Sequence, residues 1–158
     1  MARTHYDPRT FSPPESVGYL LKLSHALMLD AATAAFDGHD LGFMQWLVLL
    51  RIREGVGTVS GLCQALRHDT GALTRLVDQL ERRRYVARRR STADRRVVEL
   101  QLTAAGRRKT TELMPLVTAV HNAALADFSA AEFKRLKQQL RKLIANLRAM
   151  EQARRAAP

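Results

Sequence analysis

The chain of 158 residues has a single cysteine, Cys63, so it can form no internal disulfide, and that usage fits a reducing compartment. Its longest uninterrupted apolar run, Trp46–Leu50, is far too short to span a bilayer. The opening stretch MARTHYDPRTFSPPES has no apolar core and so lacks the form of a signal peptide. A soluble, cytoplasmic protein with no membrane partner is the expectation. Catalytic signatures are equally scarce. There is no glycine-rich phosphate loop and no nucleophile–base pair, so an enzyme is not expected. The five histidines do not cluster at metal-ligand spacing, and nothing calls for a metal or cofactor. Acidic residues are few: 15 Asp and Glu stand against 26 Lys and Arg, a net charge of +11.

That charge is concentrated. Arg82, Arg83, Arg84, Arg88, Arg89, Arg90, Arg95 and Arg96 crowd one stretch, with only Asp94 among them as an acid. A solvated charged face would mix the signs; a surface that grips phosphates would not. The surrounding residues 58–103 have a definite pattern. Leu73, Leu76, Val77 and Leu80 recur at steps of three and four and share one helix face, leaving Thr70, Gly71, Thr74, Arg75 and Asp78 on others. Thr58 caps a shorter helix before it, with Val59, Leu62, Cys63 and Leu66 inward, and Arg67-His68-Asp69 makes the turn, with Asp69 or His68 as the next cap. Downstream, Val98, Leu100 and Leu102 alternate with polar neighbours as in a half-buried strand, pairing with Val86–Arg90 around a tip at Ser91–Arg95. Helix, turn, helix and basic hairpin together read as a winged helix-turn-helix, whose second helix enters the major groove. The fold class is mainly α with a small β-wing, in six helices.

The flanks complete the chain. Residues 1–15 hold three of the five prolines and read as a flexible arm or extended segment. Ser16 caps a first helix that runs toward Gly38 and is apolar on more than one side, Leu20 included. Asp40 is placed to cap a second, with Leu41, Met44, Leu47, Val48 and Ile52 inward. Thr103 caps a long fifth helix to about Ala126, kinked by Pro115. Ser129-Ala130-Ala131-Glu132 is a capping box that opens a last helix bearing Phe133, Leu136, Leu140, Leu143, Ile144, Leu147 and Met150. That narrow stripe resembles a coiled-coil seam, and its simplest partner is a second copy of the chain. The tail from Arg154 is expected to fray. One domain, 1–158, is expected: 16–37 and 104–150 as dimerisation helices and 40–102 as the DNA-binding region.

Gly71-Ala72-Leu73-Thr74-Arg75-Leu76-Val77-Asp78-Gln79-Leu80-Glu81, Val86-Ala87-Arg88, Asp94-Arg95-Arg96 and Leu102-Thr103-Ala104-Ala105-Gly106 resemble the signature of MarR-type transcriptional regulators. The resemblance covers nearly the whole chain. It implies a homodimer on a pseudo-palindromic double-stranded DNA operator, usually as a repressor, with release by small aromatic acids, phenolic compounds or oxidants in many members. One position departs: Arg84 stands where the family has glycine, at the end of the second helix of the motif, where a left-handed residue stops a helix. Arg84 must either accept that strain or end the helix differently.

Roles follow by residue. Thr70, Gly71, Thr74 and Arg75 are candidates for base reading, Arg75 by a bidentate contact to guanine. For Arg75 a phosphate contact or an ion pair with Asp78 or Asp94 is the alternative. The resemblance implies that Asp94 orients Arg96 into the minor groove, where a narrow A·T-rich tract attracts arginine. Arg82, Arg89, Arg90 and Arg95 suit phosphate positioning. Cys63 reads as a small core hydrophobe rather than a redox sensor. The resemblance places an effector pocket among helices 1, 2 and 5, with His25, Trp46 and Arg88 as candidates, although a tryptophan is more often core and His25 is equally an interface residue. Leu20, Phe133, Leu136, Leu140, Leu143 and Leu147 are the expected dimer contacts. Two other readings compete: a non-specific architectural nucleic-acid protein, and a scaffold that keeps the fold for a protein partner.

Overall fold

Leu73, Val77 and Leu80 are completely buried, so the apolar stripe that predicts the motif's second helix is also what holds it. Burial of such side chains stabilises by roughly 1.5–3 kcal/mol each. The structure, a computed structural model, describes residues 4–92 and 94–156. The chain divides into two compact units, Met1–Val120 and His121–Pro158.

The first unit carries α1 (Val17–Ala34), α2 (Phe43–Arg53), α3 (Val59–Leu66), α4 (Thr70–Arg82), β1 (Val86–Arg90), β2 (Val98–Leu102) and α5 (Ala104–Glu112). One core joins them. Trp46, Val48, Leu49 and Ile52 from α2 meet Leu62 of α3, the α4 stripe, Val86, Leu100 and Leu102 of the hairpin, and Leu113. The two strands pair antiparallel, with Val86 opposite Leu102, Arg88 opposite Leu100 and Arg90 opposite Val98. This is the winged helix-turn-helix, mainly α with a two-stranded wing. Of the expected tip Ser91–Arg95, Ala93 lies outside the described residues. Leu100 and Leu102 face in as their alternation predicts, but Val98 is exposed because the ladder has left the core by that point.

Several expectations are corrected. Asp40 does not cap α2; the helix starts after Gly42, whose amide donates to Gln45 Oε1 at 3.2 Å. The Asp40 carboxylate is drawn instead to Tyr85 and Lys109. The shifted start turns Trp46 and Leu49 fully inward and leaves Met44 and Leu47 half-buried. The long fifth helix is divided, not merely kinked, into α5 and α6 (Met114–Ala124), with Leu113 between. Pro115 lacks the amide that would bond the carbonyl of Thr111, and its ring crowds that turn. The N-terminal arm is held by contacts that begin at Tyr6. The Tyr6 hydroxyl accepts the Val17 amide at 2.9 Å, the rings of Tyr6 and Phe11 meet edge-on, and Pro13–Glu15 form one 3₁₀ turn. Tyr6 thereby satisfies an amide that the first turn of α1 leaves unpaired.

The second unit contains α7 (Ala130–Ala156), opened by the expected capping box: the Glu132 amide donates to Ser129 Oγ at 3.3 Å and the Ser129 amide to Glu132 Oε2 at 2.9 Å. The helix carries through Arg154 and Arg155 rather than fraying there, with Arg155 paired to Glu151 one turn back.

Candidate nucleic-acid interface

The site begins at the turn between α3 and α4. Arg67 adopts a left-handed conformation, φ 49°, which ends α3 and swings the chain into the next helix. Asp69 then caps α4 by accepting the Ala72 amide at 2.8 Å, a bond that holds its carboxyl below the usual carboxylate range. Thr70, Gly71 and Arg75 are exposed and Thr74 is half-buried. The Thr74 hydroxyl donates to the Thr70 carbonyl at 2.7 Å, so it faces a ligand as an acceptor. Arg75 makes neither of the ion pairs open to it in the sequence, because Asp78 is taken by Arg88 and no bond joins Arg75 to Asp94 among the described residues. Cys63 is half-buried against the core, its thiol 3.5 Å from the Thr70 hydroxyl.

The far end of α4 is fastened to the wing by three devices. The first is Arg88, on the core-facing side of β1 because it lies opposite the buried Leu100. Its guanidinium grips Asp78 at 2.6 Å and Glu81 at 2.5 Å. The second is the helix stop. The Arg84 amide bonds the Glu81 carbonyl at 2.8 Å and the Tyr85 amide the Leu80 carbonyl at 2.9 Å, a Schellman pair that needs a left-handed residue between. Arg84 supplies it with φ 59°, so it accepts the strain that glycine would avoid. The third device is Thr103-x-x-Gly106. The Thr103 hydroxyl donates to the Arg84 carbonyl at 2.7 Å and accepts the Gly106 amide at 3.0 Å, and α5 approaches so closely that a Cβ on Gly106 would lie 2.1 Å from the Tyr85 oxygen.

Asp40 braces the same corner. Its Oδ2 accepts from the Tyr85 hydroxyl at 2.9 Å, its Oδ1 pairs with Lys109 at 3.1 Å, and its carbonyl accepts from the Arg83 guanidinium. Burial pushes the Asp40 carboxyl up, but the Tyr85 hydroxyl and the Lys109 ammonium outweigh it and hold the group below its ordinary range. Sequence periodicity had no access to Asp40, Tyr85, Lys109, Asp78 or Glu81 as a set, since their partners lie up to 69 positions apart only in the chain. A buried-face arginine in a strand was the one available signal for Arg88.

Arg82 at the end of α4 and Arg89, Arg90, Arg95 and Arg96 in the wing are exposed, and among the described residues none of them is in an ion pair. Asp94 acts on Arg96 through the backbone: its Oδ1 accepts the Arg96 amide at 2.9 Å, and the turn closes with the Val97 amide on the Asp94 carbonyl. The guanidinium of Arg96 is left to solvent.

The effector candidates are not brought together. His25 is exposed on α1. Trp46 is only 2% exposed, stacked with Phe43, and its indole donates to the Thr110 carbonyl at 3.0 Å. Arg88 is occupied by its two carboxylates. Two open clefts of 280 and 370 Å³ lie beside β2 around Ile52 and Leu100, and none of the three candidates lines either.

Fold and site thus define a winged helix-turn-helix protein with a basic recognition face. Comparison with known proteins narrows the class. A MarR family profile matches residues 39–97. The transcriptional repressor MprA of Escherichia coli K12 is 37% identical over 93 residues, 59% of this chain and 53% of MprA, so the chain spans about half the length of that relative. The apo structure of wild-type E. coli MarR superposes with a TM-score of 0.72 at 27% identity, covering 81% of this chain and 96% of that one. A cysteine-to-serine mutant of E. coli MarR, solved in complex with operator DNA, gives 0.69 at 27% identity, covering 80% and 92%. The chain is thus similar to the MarR family in sequence over residues 39–97 and in fold over about four fifths of its length.

Proposed function

We propose that the protein is a homodimeric regulator of transcription that binds a specific, pseudo-palindromic double-stranded DNA site, as a repressor released by a small aromatic acid or phenolic ligand. The observation that carries the DNA reading is one continuous surface. The start of α4, with Thr70, Gly71 and Arg75 exposed and Thr74 half-buried, is clamped through Arg88 to a wing in which Arg89, Arg90, Arg95 and Arg96 are exposed and, among the described residues, in no ion pair. A helix presented by its N-terminal half suits the major groove, and free guanidiniums suit phosphates and the narrow minor groove. The operator complex of a MarR mutant and the description of MprA as a repressor favour the same use here.

Dimerisation is supported by apolar side chains left uncovered in one chain: Leu20, Leu23 and Leu27 on α1, and Phe133, Leu147 and Met150 on α7. Release by a ligand rests on the family alone, and it requires tighter binding to the DNA-incompetent arrangement. A panel of aromatic acids and phenols, titrated against the protein–operator complex, tests it. The DNA reading is tested by selecting duplexes from a random library. One sequence should emerge, preferred over random duplex by about 10³-fold or more, with Arg75→Ala relaxing one position in each half-site. Equal affinity for all duplexes would favour an architectural protein, and no binding at low salt a scaffold.

A further inference from the structure

Thr70, Thr74, Asp78 and Glu81 follow one another at steps of four, four and three, so they form a single stripe along α4. Its first half carries hydroxyls, and its second half carries two carboxylates beside a surface otherwise crowded with arginine. Carboxylates there would repel phosphates. Both are covered by one residue. Arg88 reaches from β1 and donates one nitrogen to each, Nη2 to Asp78 at 2.6 Å and Nη1 to Glu81 at 2.5 Å. Its neighbours in the strand differ: Arg89 and Arg90 are exposed and, among the described residues, in no ion pair, whereas Arg88 is turned to the core side of the ladder opposite Leu100.

We infer that Arg88 is a positioning residue of the DNA-binding surface: it cancels the two carboxylates of α4 and sets the wing against that helix, without touching DNA itself. The inference rests on the DNA-binding reading above. Its physical content is an asymmetry. Removing Arg88 alone leaves two negative charges uncompensated beside the phosphates, whereas neutralising all three groups leaves none, and neutral amides can still hydrogen-bond across the gap. A direct phosphate or base contact by Arg88 would show no such recovery. Freeing Arg88 by neutralising only its partners should have another effect: an extra mobile cation raises affinity for any duplex while the wing loses its fixed placement.

The test uses the full chain and fluorescence anisotropy with a library-selected duplex and a scrambled one, at two salt concentrations, with folding followed by circular dichroism. Arg88→Gln should weaken the selected duplex by about tenfold. Asp78→Asn/Glu81→Gln/Arg88→Gln should return within about threefold of the wild type, with its salt slope, because no phosphate contact was lost. A triple variant as weak as Arg88→Gln would overturn the inference and make Arg88 a DNA contact. Should Arg88→Gln not fold, Asp78→Asn/Glu81→Gln decides: binding to scrambled duplex should rise several-fold and the selected-to-scrambled ratio should fall. An unchanged ratio overturns the inference. Wild-type protein that binds no duplex would instead remove the DNA reading, and this inference with it.

Discussion

Gly106→Ala separates helix propensity from packing, because the two act in opposite directions. Gly106 lies inside α5, where alanine is favoured by about 1 kcal/mol in an open helix. Here the added Cβ would stand 2.1 Å from the Tyr85 oxygen and 2.9 Å from its carbonyl carbon, whereas ordinary contact begins at 3.4 Å. The obstacle is backbone, and it is pinned: the Tyr85 oxygen accepts the Thr103 amide at 3.1 Å, and the Thr103 hydroxyl holds the Arg84 carbonyl. Relief requires α5 to move off the Arg84–Tyr85 turn. That costs about 1–3 kcal/mol in overpacking and roughly 1 kcal/mol for each hydrogen bond lost. The net expectation is a loss of about 2–4 kcal/mol, which for a chain of this size lowers Tm by something like 5–15 °C. Urea and thermal unfolding by circular dichroism, at one fixed protein concentration so that any linked association is held constant, measure it. A variant as stable as the wild type, or more so, would refute the close approach of α5 to the wing root.

Arg84→Gly should act in the other direction, stabilising by about 0.5–1 kcal/mol as the left-handed position loses its Cβ, visible as a higher urea midpoint with unchanged slope. Leu140→Asp with Leu147→Asp should dissociate or unfold the protein in sedimentation equilibrium; a folded dimer that still selects one duplex would remove α7 from the interface. Arg96→Ala should chiefly reduce preference for A·T-rich flanks, and Arg89→Ala should weaken all duplexes alike and lower the salt slope, both read by anisotropy. The carboxyls of Asp40, Asp69 and Glu132 are held below their ordinary range in the fold, so their contribution is present above the unfolded pKa and lost as pH falls through the folded one. Stability should therefore decline on the acid side, from about pH 4 downward. Asp40→Asn should flatten that limb in unfolding curves, and an identical limb would detach Asp40 from it.

Apolar periodicity alone determined the architecture. Steps of three and four in Leu73–Leu80 and alternation in Val98–Leu102 are local statements about which side leaves water, and they hold as far as the core reaches, which takes in Leu100 and Leu102 but not Val98. Caps were equally legible: Ser16, Thr58, Thr103 and Ser129 each bond the amide three residues on, a distance the sequence contains. Asp69 does the same. What tertiary structure decided is where polar groups found partners far away in the chain. Asp40 has the chemistry of a cap, yet Tyr85 and Lys109 offered its carboxylate a better-compensated place, and α2 began two residues later. Arg88 looks in the sequence like one more cation of the wing, but the ladder register turns it inward onto Asp78 and Glu81. Trp46 could have been a ligand wall until packing against Phe43 and the Thr110 carbonyl closed it in. Pattern along a chain gives the direction a side chain faces; only the folded arrangement shows which charges meet there, and so which of many arginines remain free for a nucleic acid.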